Sequence, residues 1–159
     1  MKIKVRKAVE SDSENIWRLM KELAIFEKYD DSFAITPQIV RESGFRKTPP
    51  DFHCLVSEFN DEISGILVYY FLPFTALNKP AIYLKELIVD KKYRGQKIGE
   101  HLMNALRKEA EINNCCQIKW TVAPWNESGQ QFYKKLGAKE NNDWLHYEWD
   151  IQKTAANNN

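Results

Sequence analysis

Residues 88–105 read IVDKKYRGQKIGEHLMNA, and this stretch joins a strand to a helix through a glycine-containing loop. Residues 87–89 are apolar and typical of a strand end, and apolar residues after the loop recur at helical spacing. Backbone N–H groups at a helix N-terminus attract anions, and Arg94 and Lys97 add positive charge. The loop therefore predicts a phosphate or pyrophosphate site. The alternative is that its two glycines only allow a turn.

Length and composition indicate one globular domain, which we assign to residues 1–152, followed by a polar tail at 153–159 that we expect to be disordered. The chain has 159 residues, of which 43% are hydrophobic and 28% charged. The net charge of +1 does not suggest nucleic acid or an anionic membrane as a partner. The sequence contains neither a long apolar run nor a secretion signal, so we expect a cytoplasmic protein.

The cysteines do not predict a metal site or a disulfide framework. Cys54, Cys115 and Cys116 are odd in number and form no C-x-x-C pair. We therefore expect reduced thiols and no bound metal.

The first half of the chain predicts a strand, two helices and a hairpin. Residues 2–7 alternate as a strand does, and Ser11 and Glu14 have capping-box spacing before a helix that should run to about Lys28. Thr36 and the proline after it predict a short helix that ends before Gly44. Residues 53–59 and 63–71 predict an antiparallel hairpin, in which Gly65 marks a bulge or a close backbone approach.

The second half alternates strands with helices. We predict strands at residues 81–89, 117–122 and 145–151, and helices at about 99–113 and 127–135. The resulting order, β-α-α-β-β-β-α-β-α-β, indicates an α/β (α+β) fold with a mixed sheet and helices on both faces.

Two separated motifs resemble those of one enzyme family. Residues 87–89 followed by 93–99 (YRGQKIG) resemble the acetyl-CoA loop of the GNAT superfamily of N-acetyltransferases, and residues 125–127 (WNE) followed by 132–138 (FYKKLGA) resemble its second motif. Further segments resemble the diamine (spermidine/spermine) and thialysine acetyltransferase branch: 21–24 (KELA), Glu27, 44–45 (GF), 53–56 (HCLV) and 69–71 (YYF). The resemblance covers about residues 3–150. It implies a mostly antiparallel twisted sheet of about six or seven strands.

The resemblance also implies that acetyl-CoA is a co-substrate and that no metal is needed. The pyrophosphate would bind backbone N–H groups between Gly95 and Glu100, and the strand end would offer backbone groups to the pantetheine arm. The implied cofactor-binding residues are Leu87, Ile88, Val89, Arg94, Gly95, Gln96, Lys97, Ile98, Gly99, Glu100, Asn126 and Ser128.

The chemistry requires an acid and a base, and the resemblance assigns candidates for both. Tyr133 would donate a proton to the CoA thiolate, because a phenol stays protonated at neutral pH; otherwise it belongs to the aromatic core side of its helix. Glu86 would take a proton from the amine through water, or it is an exposed strand residue or a partner of Lys85. Glu27 and Phe26 would help to bind the substrate ammonium, and Asn126 would contact the cofactor or only cap its helix.

Two lysines depart from the pattern of the branch. Lys97 stands where the family carries glycine, and a lysine fits there if its φ angle is negative. Lys85 replaces the first of two acids, the one that contacts the substrate amine in the polyamine enzymes. Because two amines repel each other, Lys85 predicts a preference for an amine that bears a carboxylate.

The sequence thus predicts an acetyl-CoA-dependent N-acetyltransferase that acts on a small primary amine by direct transfer in a ternary complex. The amine is a diamine or polyamine, or thialysine or another lysine-like amino acid. A non-catalytic CoA-binding module on the same fold is the alternative. The branch implies a homodimer, and we expect neither a nucleic acid nor a membrane as a partner.

Overall fold

The computed structural model describes residues 2–151, and the chain divides after Ala123 into two compact units. The first unit contains strands β1 (Ile3–Lys7), β2 (His53–Phe59), β3 (Glu62–Leu72), β4 (Ala81–Val89) and β5 (Ile118–Lys119), and helices α1 (Ser13–Phe26), α2 (Pro37–Arg41) and α3 (Ile98–Ile112). The second unit contains helix α4 (Glu127–Lys135). The single domain at 1–152 stays a prediction, and the predicted disorder at 153–159 lies outside the described residues.

The five strands form one sheet in the order β1-β2-β3-β4-β5. Neighbours from β1 to β4 pair antiparallel, whereas β5 runs parallel to β4. The mixed, mostly antiparallel sheet is confirmed, but it has five strands in the described structure, fewer than the six or seven expected.

The strand predicted at residues 145–151 is absent from the described structure. Its apolar side chains Leu145, Tyr147, Trp149 and Ile151 are 81–90% exposed. Alternation makes a strand only when a neighbouring strand supplies hydrogen bonds and a surface covers the apolar side.

Helices α1 and α2 cover one face of the sheet. Because α1 places apolar side chains three and four residues apart, they form one stripe on the helix. This stripe meets alternate residues of the strands, and the core consists of Ile16, Leu19, Met20, Leu23, Val40, Cys54, Val56, Ile66, Val68 and Ile88.

Helix α3 covers the opposite face, and Gly65 allows it to approach. A side chain at Gly65 would lie 3.2 Å from Leu102 of α3 and 3.0 Å from the carbonyl oxygen of Ile88. Pairing also shifts beside this residue, from Ser57 with Gly65 to Glu58 with Ile63. The prediction of a bulge or a close approach at Gly65 is confirmed in both respects.

The predicted helix starts had different outcomes. Thr36 caps α2 as expected, since its hydroxyl accepts a hydrogen bond of 3.2 Å from the Ile39 N–H. The capping box at Ser11 is wrong, because α1 begins only at Ser13. Asp12 instead accepts a hydrogen bond of 2.8 Å from the Val9 N–H and binds the Arg6 guanidinium.

Candidate active site

The edge of β4 that faces β5 is open over its second half. β5 pairs with β4 only through Ile82 with Ile118 and Tyr83 with Lys119, while β4 continues to Val89. The strand predicted at 117–122 is therefore too long. In the described structure no strand pairs with this side of β4 beyond Tyr83, so its backbone is available to an extended ligand.

This open edge includes the strand end that was assigned to the cofactor arm. Ile88 is buried in the core beneath α1, whereas Leu87 and Val89 are half-buried. The side chains thus hold the strand in the core, and the backbone remains the part that can contact a ligand.

The loop after β4 prepares a helix terminus for an anion. A 3-10 turn at Lys91–Tyr93 and a positive φ of 82° at Gly95 lead into α3. The N-cap residue Lys97 makes no side-chain hydrogen bond at this terminus, so the N–H groups of Ile98, Gly99 and Glu100 receive no cap from it. Arg94, Gln96 and Lys97 are exposed around them, so the loop has the geometry and charge of an anion site.

Lys97 sits at this terminus with a φ of 62°. The condition of a negative φ is therefore not met, and the lysine adopts the left-handed conformation. The left-handed conformation costs a side-chain-bearing residue about 1–2 kcal/mol, which explains why glycine suits this position. The Lys97 carbonyl oxygen accepts a hydrogen bond of 3.1 Å from the His101 N–H and lies 2.8 Å from Nδ1 of the same histidine.

A β-bulge in β4 brings Lys85 and Glu86 to the same side of the sheet. Val68 pairs with Glu86 but Tyr69 pairs with Leu84, so Lys85 is the extra residue. Neighbouring residues of a regular strand point to opposite faces. Here Lys85 Nζ nevertheless lies 3.9 Å from Glu86 Oε1.

Glu86 is a buried carboxylate that is influenced by one positive and one negative neighbour. It is only 7% exposed, and among the described residues none donates a hydrogen bond to its Oε2. Burial raises the pKa of Glu86, nearby Lys85 lowers it, and Glu27 raises it further. The alternative of an exposed strand residue is excluded, and the pairing with Lys85 is observed.

The end of α1 contributes a second carboxylate to this cluster. Glu27 directly follows α1, and burial raises its pKa while Lys85 lowers it. Phe26, the last residue of α1, is 46% exposed. The structure thus brings Glu27, Lys85 and Glu86 together; their roles in binding stay predictions.

Three tyrosines of the same region, Tyr29, Tyr70 and Tyr83, were not predicted from the sequence to be site residues. Burial, and then the negative charge of Glu86, raise the pKa values of both Tyr29 and Tyr70. The ring of Tyr70 stacks on that of Tyr83 at a centroid distance of 6.4 Å. Two carboxylates beside aromatic rings suit an ammonium group. Tyr70 pairs with Tyr83 in the β3–β4 register. Knowledge of that register is what would have identified the two tyrosines as neighbours.

The second unit holds the other predicted site residues. Asn126 caps α4, since its Oδ1 accepts a hydrogen bond of 3.0 Å from the Gly129 N–H and one of 3.2 Å from the Ser128 hydroxyl. Tyr133 is half-buried, and its ring lies 5.2 Å from that of Phe132. The cap role of Asn126 is observed, whereas cofactor contacts and the acid role of Tyr133 stay predictions.

A family model described as "Acetyltransferase (GNAT) family" matches residues 15–138, which span both motifs and the β4 bulge. The chain belongs to the GNAT acetyltransferase family. The prediction of an acetyltransferase is thereby confirmed, and the non-catalytic alternative loses support.

Curated relatives and a solved structure agree with this assignment. Thialysine N-epsilon-acetyltransferase of Mus musculus is 35% identical over 92% of this chain and 92% of that protein. Spermidine/spermine N(1)-acetyltransferase-like protein 1 of Homo sapiens is 30% identical over 84% of this chain and 20% of that protein. A crystal structure of an aminoglycoside acetyltransferase from an uncultured soil metagenomic sample has the same fold, with a TM-score of 0.78 at 17% identity over 94% of this chain and 97% of that one.

Candidate membrane-spanning helices and metal-binding clusters are both absent from residues 2–151. Within them, no helix combines the length and apolar character needed to cross a bilayer. The same residues contain no group of three or more His, Cys, Asp or Glu side chains arranged to hold a metal ion. The absence of a metal requirement stays a prediction.

Proposed function

We propose that this GNAT acetyltransferase moves the acetyl group of acetyl-CoA directly to the primary amine of a small lysine-like amino acid. The observation that carries the proposal is the cluster at the β4 bulge. There Glu86 is buried, with an oxygen to which no described residue donates a hydrogen bond, and Lys85 stands beside it with a positive charge. A diamine or polyamine is the second candidate substrate.

The cofactor would bind along the open edge of β4 and at the start of α3. The pantetheine arm would pair with the backbone of residues 87–89, and the pyrophosphate would accept hydrogen bonds from the N–H groups at the start of α3, which the Lys97 side chain does not cap. Arg94 and Lys97 add charge from the exposed side of the loop. In the second unit, Asn126 and Ser128 contribute further contacts to the cofactor.

The amine would enter the cluster as an ammonium ion. Glu27 and Glu86 attract it, and the faces of Tyr70 and Tyr83 suit a cation. Because burial raises the pKa of Glu86, this carboxylate is a better proton acceptor than an exposed glutamate. It takes one proton, directly or through water, and the neutral amine attacks the acetyl carbonyl. Tyr133 donates a proton to the departing thiolate.

Lys85 decides between the two substrate classes. Its charge offsets part of the negative potential of Glu27 and Glu86, which weakens the attraction for a second amine and favours a carboxylate. The similarity to a thialysine acetyltransferase supports an amino acid. The similarity to a spermidine/spermine acetyltransferase-like protein supports the second candidate.

We further propose that the protein works in the cytoplasm as a homodimer. The exposed apolar side chains of residues 145–151 support an interface, because such a cluster gains free energy when a partner covers it. The free thiols of Cys54, Cys115 and Cys116 are in keeping with a reducing compartment.

The test is release of CoA thiol from acetyl-CoA in the presence of thialysine, lysine, ornithine or spermidine. We expect turnover with an amino acid, and a loss of about 100-fold in kcat for Tyr133→Phe, the range of general acid catalysis. Phe132→Leu on the same helix is the matched control. Binding of acetyl-CoA without release of CoA by any amine would refute the proposal.

A further inference from the structure

We propose that Lys85 is a self-acetylation site, whose side-chain amine accepts the acetyl group of bound acetyl-CoA when no amine substrate is present. This inference rests on the proposed function, because it needs acetyl-CoA bound along β4. Lys85 would then have two roles. It repels substrates that carry a second amine, and its own amine reacts as a substrate amine does.

The bulge places this amine beside the proposed base. A lysine one residue before Glu86 would point to the other face of a regular strand. The shift from Val68–Glu86 to Tyr69–Leu84 pairing removes that constraint, and Lys85 Nζ lies 3.9 Å from Glu86 Oε1. The Lys85 amine therefore lies close to the same carboxylate that we propose as the base for a free substrate.

The surroundings of Lys85 meet the requirements for transfer. Its side chain is 45% exposed, so the amine is accessible, while Glu86 is enclosed and has an oxygen to which no described residue donates a hydrogen bond. Lys85 lies two residues before the strand end that begins at Leu87, a spacing of about 7 Å along an extended strand. The flexible four-carbon stem of lysine can turn along the open edge over such a spacing.

The step balances with groups already named. Glu86 takes one proton from the Lys85 ammonium, and the neutral Nζ attacks the acetyl carbonyl carbon. A carbon–nitrogen bond forms and the carbon–sulfur bond breaks; the nitrogen then loses its second proton, and the departing CoA thiolate gains one proton to become the thiol. The products are Nε-acetyl-lysine, CoA and the proton that Glu86 later returns to water; neither an oxidant nor a reductant is required.

Acetylation would change what the site attracts. The neutral amide no longer offsets the charges of Glu27 and Glu86, although both carboxylates remain. The modified enzyme should therefore lose preference for an amine that bears a carboxylate and gain preference for a diamine. Amine substrate and Lys85 also compete for the same acetyl group, so abundant substrate should protect Lys85.

The test is to incubate purified full-length protein with isotopically labelled acetyl-CoA and to follow each lysine by peptide mass spectrometry. We expect label at Lys85 at least about tenfold faster than at the exposed Lys108 and Lys134, at a rate per molecule independent of protein concentration. Glu86→Gln should slow the labelling of Lys85 about 100-fold. Lys85→Arg, which keeps the charge but removes the amine, should abolish it.

Release of CoA with amine substrates is measured on the same samples, which separates the two claims. Turnover of an amine without faster labelling of Lys85 would overturn the inference and leave the proposed function intact. Labelling that is insensitive to Glu86→Gln or to added amine substrate would also overturn it, since it would be ordinary chemical acetylation. If the protein shows no turnover and no labelling, the proposed function itself is overturned.

Discussion

Arg18 Nη1 lies 2.9 Å from Asp90 Oδ2, and this ion pair joins α1 to the loop that follows β4. Asp90 Oδ1 accepts a hydrogen bond of 3.0 Å from the Lys92 N–H, and the backbone N–H of Asp90 donates to the Ser64 carbonyl. Helix α1, which Glu27 directly follows, thus also orients the start of the loop between β4 and α3.

Replacing Arg18 with Met should raise the KM for acetyl-CoA several-fold and leave the KM for the amine nearly unchanged. The reason is that Asp90 would lose its partner on α1 while the amine cluster stays in place. Because Arg18 is 39% exposed, the loss of stability should be at most about 1 kcal/mol. Steady-state kinetics and thermal unfolding measure both, and Arg107→Met, on the exposed side of α3, is the control. An unchanged KM for acetyl-CoA would contradict the coupling.

Lys97→Gly should increase the free energy of unfolding by about 1 kcal/mol, because glycine adopts a φ of 62° without the steric cost that lysine incurs. It should also raise the KM for acetyl-CoA, since the ammonium is lost from the loop. Lys28 has a φ of 66°, so Lys28→Gly is a matched control that should stabilise without changing that KM. Stabilisation by Lys28→Gly alone would count against strain at Lys97.

Glu86→Gln should lower kcat by about 100-fold and remove the acidic limb of the pH–rate profile. The wild-type enzyme loses activity as Glu86 is protonated, and its raised pKa moves that limb above the usual range of a glutamate. A profile that keeps its acidic limb in the variant would show that another group is the base.

The same variant should be more stable than the wild type at neutral pH. Burial raises the folded-state pKa of Glu86, so its contribution to stability is present below its unfolded pKa of about 4.3 and is lost as pH rises through the folded value. Chemical denaturation at pH 7 and near pH 4 measures the difference, which should shrink at the lower pH. Equal stabilisation at both values would contradict this account.

Lys85→Glu should shift specificity, measured as the ratio of kcat/KM values, from a lysine-like amino acid toward spermidine. The added carboxylate attracts a polycation and repels the substrate carboxylate. Lys79→Glu, an exposed lysine outside the cluster, makes the same change in net charge and should leave the ratio unchanged. A wild-type enzyme that prefers spermidine would show that the role given to Lys85 is wrong.

Trp149→Asp should weaken the proposed dimer, because it puts a charge among apolar side chains that a partner would cover. Sedimentation velocity should show a dimer for the wild type and a shift toward monomer for the variant. His146→Asp, one of the alternating polar positions in the same segment, should leave the dimer unchanged. A wild type that is monomeric at micromolar concentration would exclude the interface.

The features that depend on local pattern could be predicted from the sequence. Helical spacing located α1 and α3, and mostly apolar segments bounded by turn residues located the β2–β3 hairpin and β4. The loop between Val89 and Ile98 was placed correctly at a helix N-terminus. The resemblance then named Glu27, Lys85 and Glu86, which the folded chain brings together.

How these residues meet depends on contacts between distant parts of the chain. Lys85 and Glu86 share one side of the sheet because β4 slips by one residue against β3, a shift that depends on pairing between distant segments. The early end of β5 and the positive φ of Lys97 likewise arise from the surrounding fold. Periodicity would have placed Lys85 and Glu86 on opposite faces, and the bulge is the physical reason that a lysine and a buried carboxylate form one site.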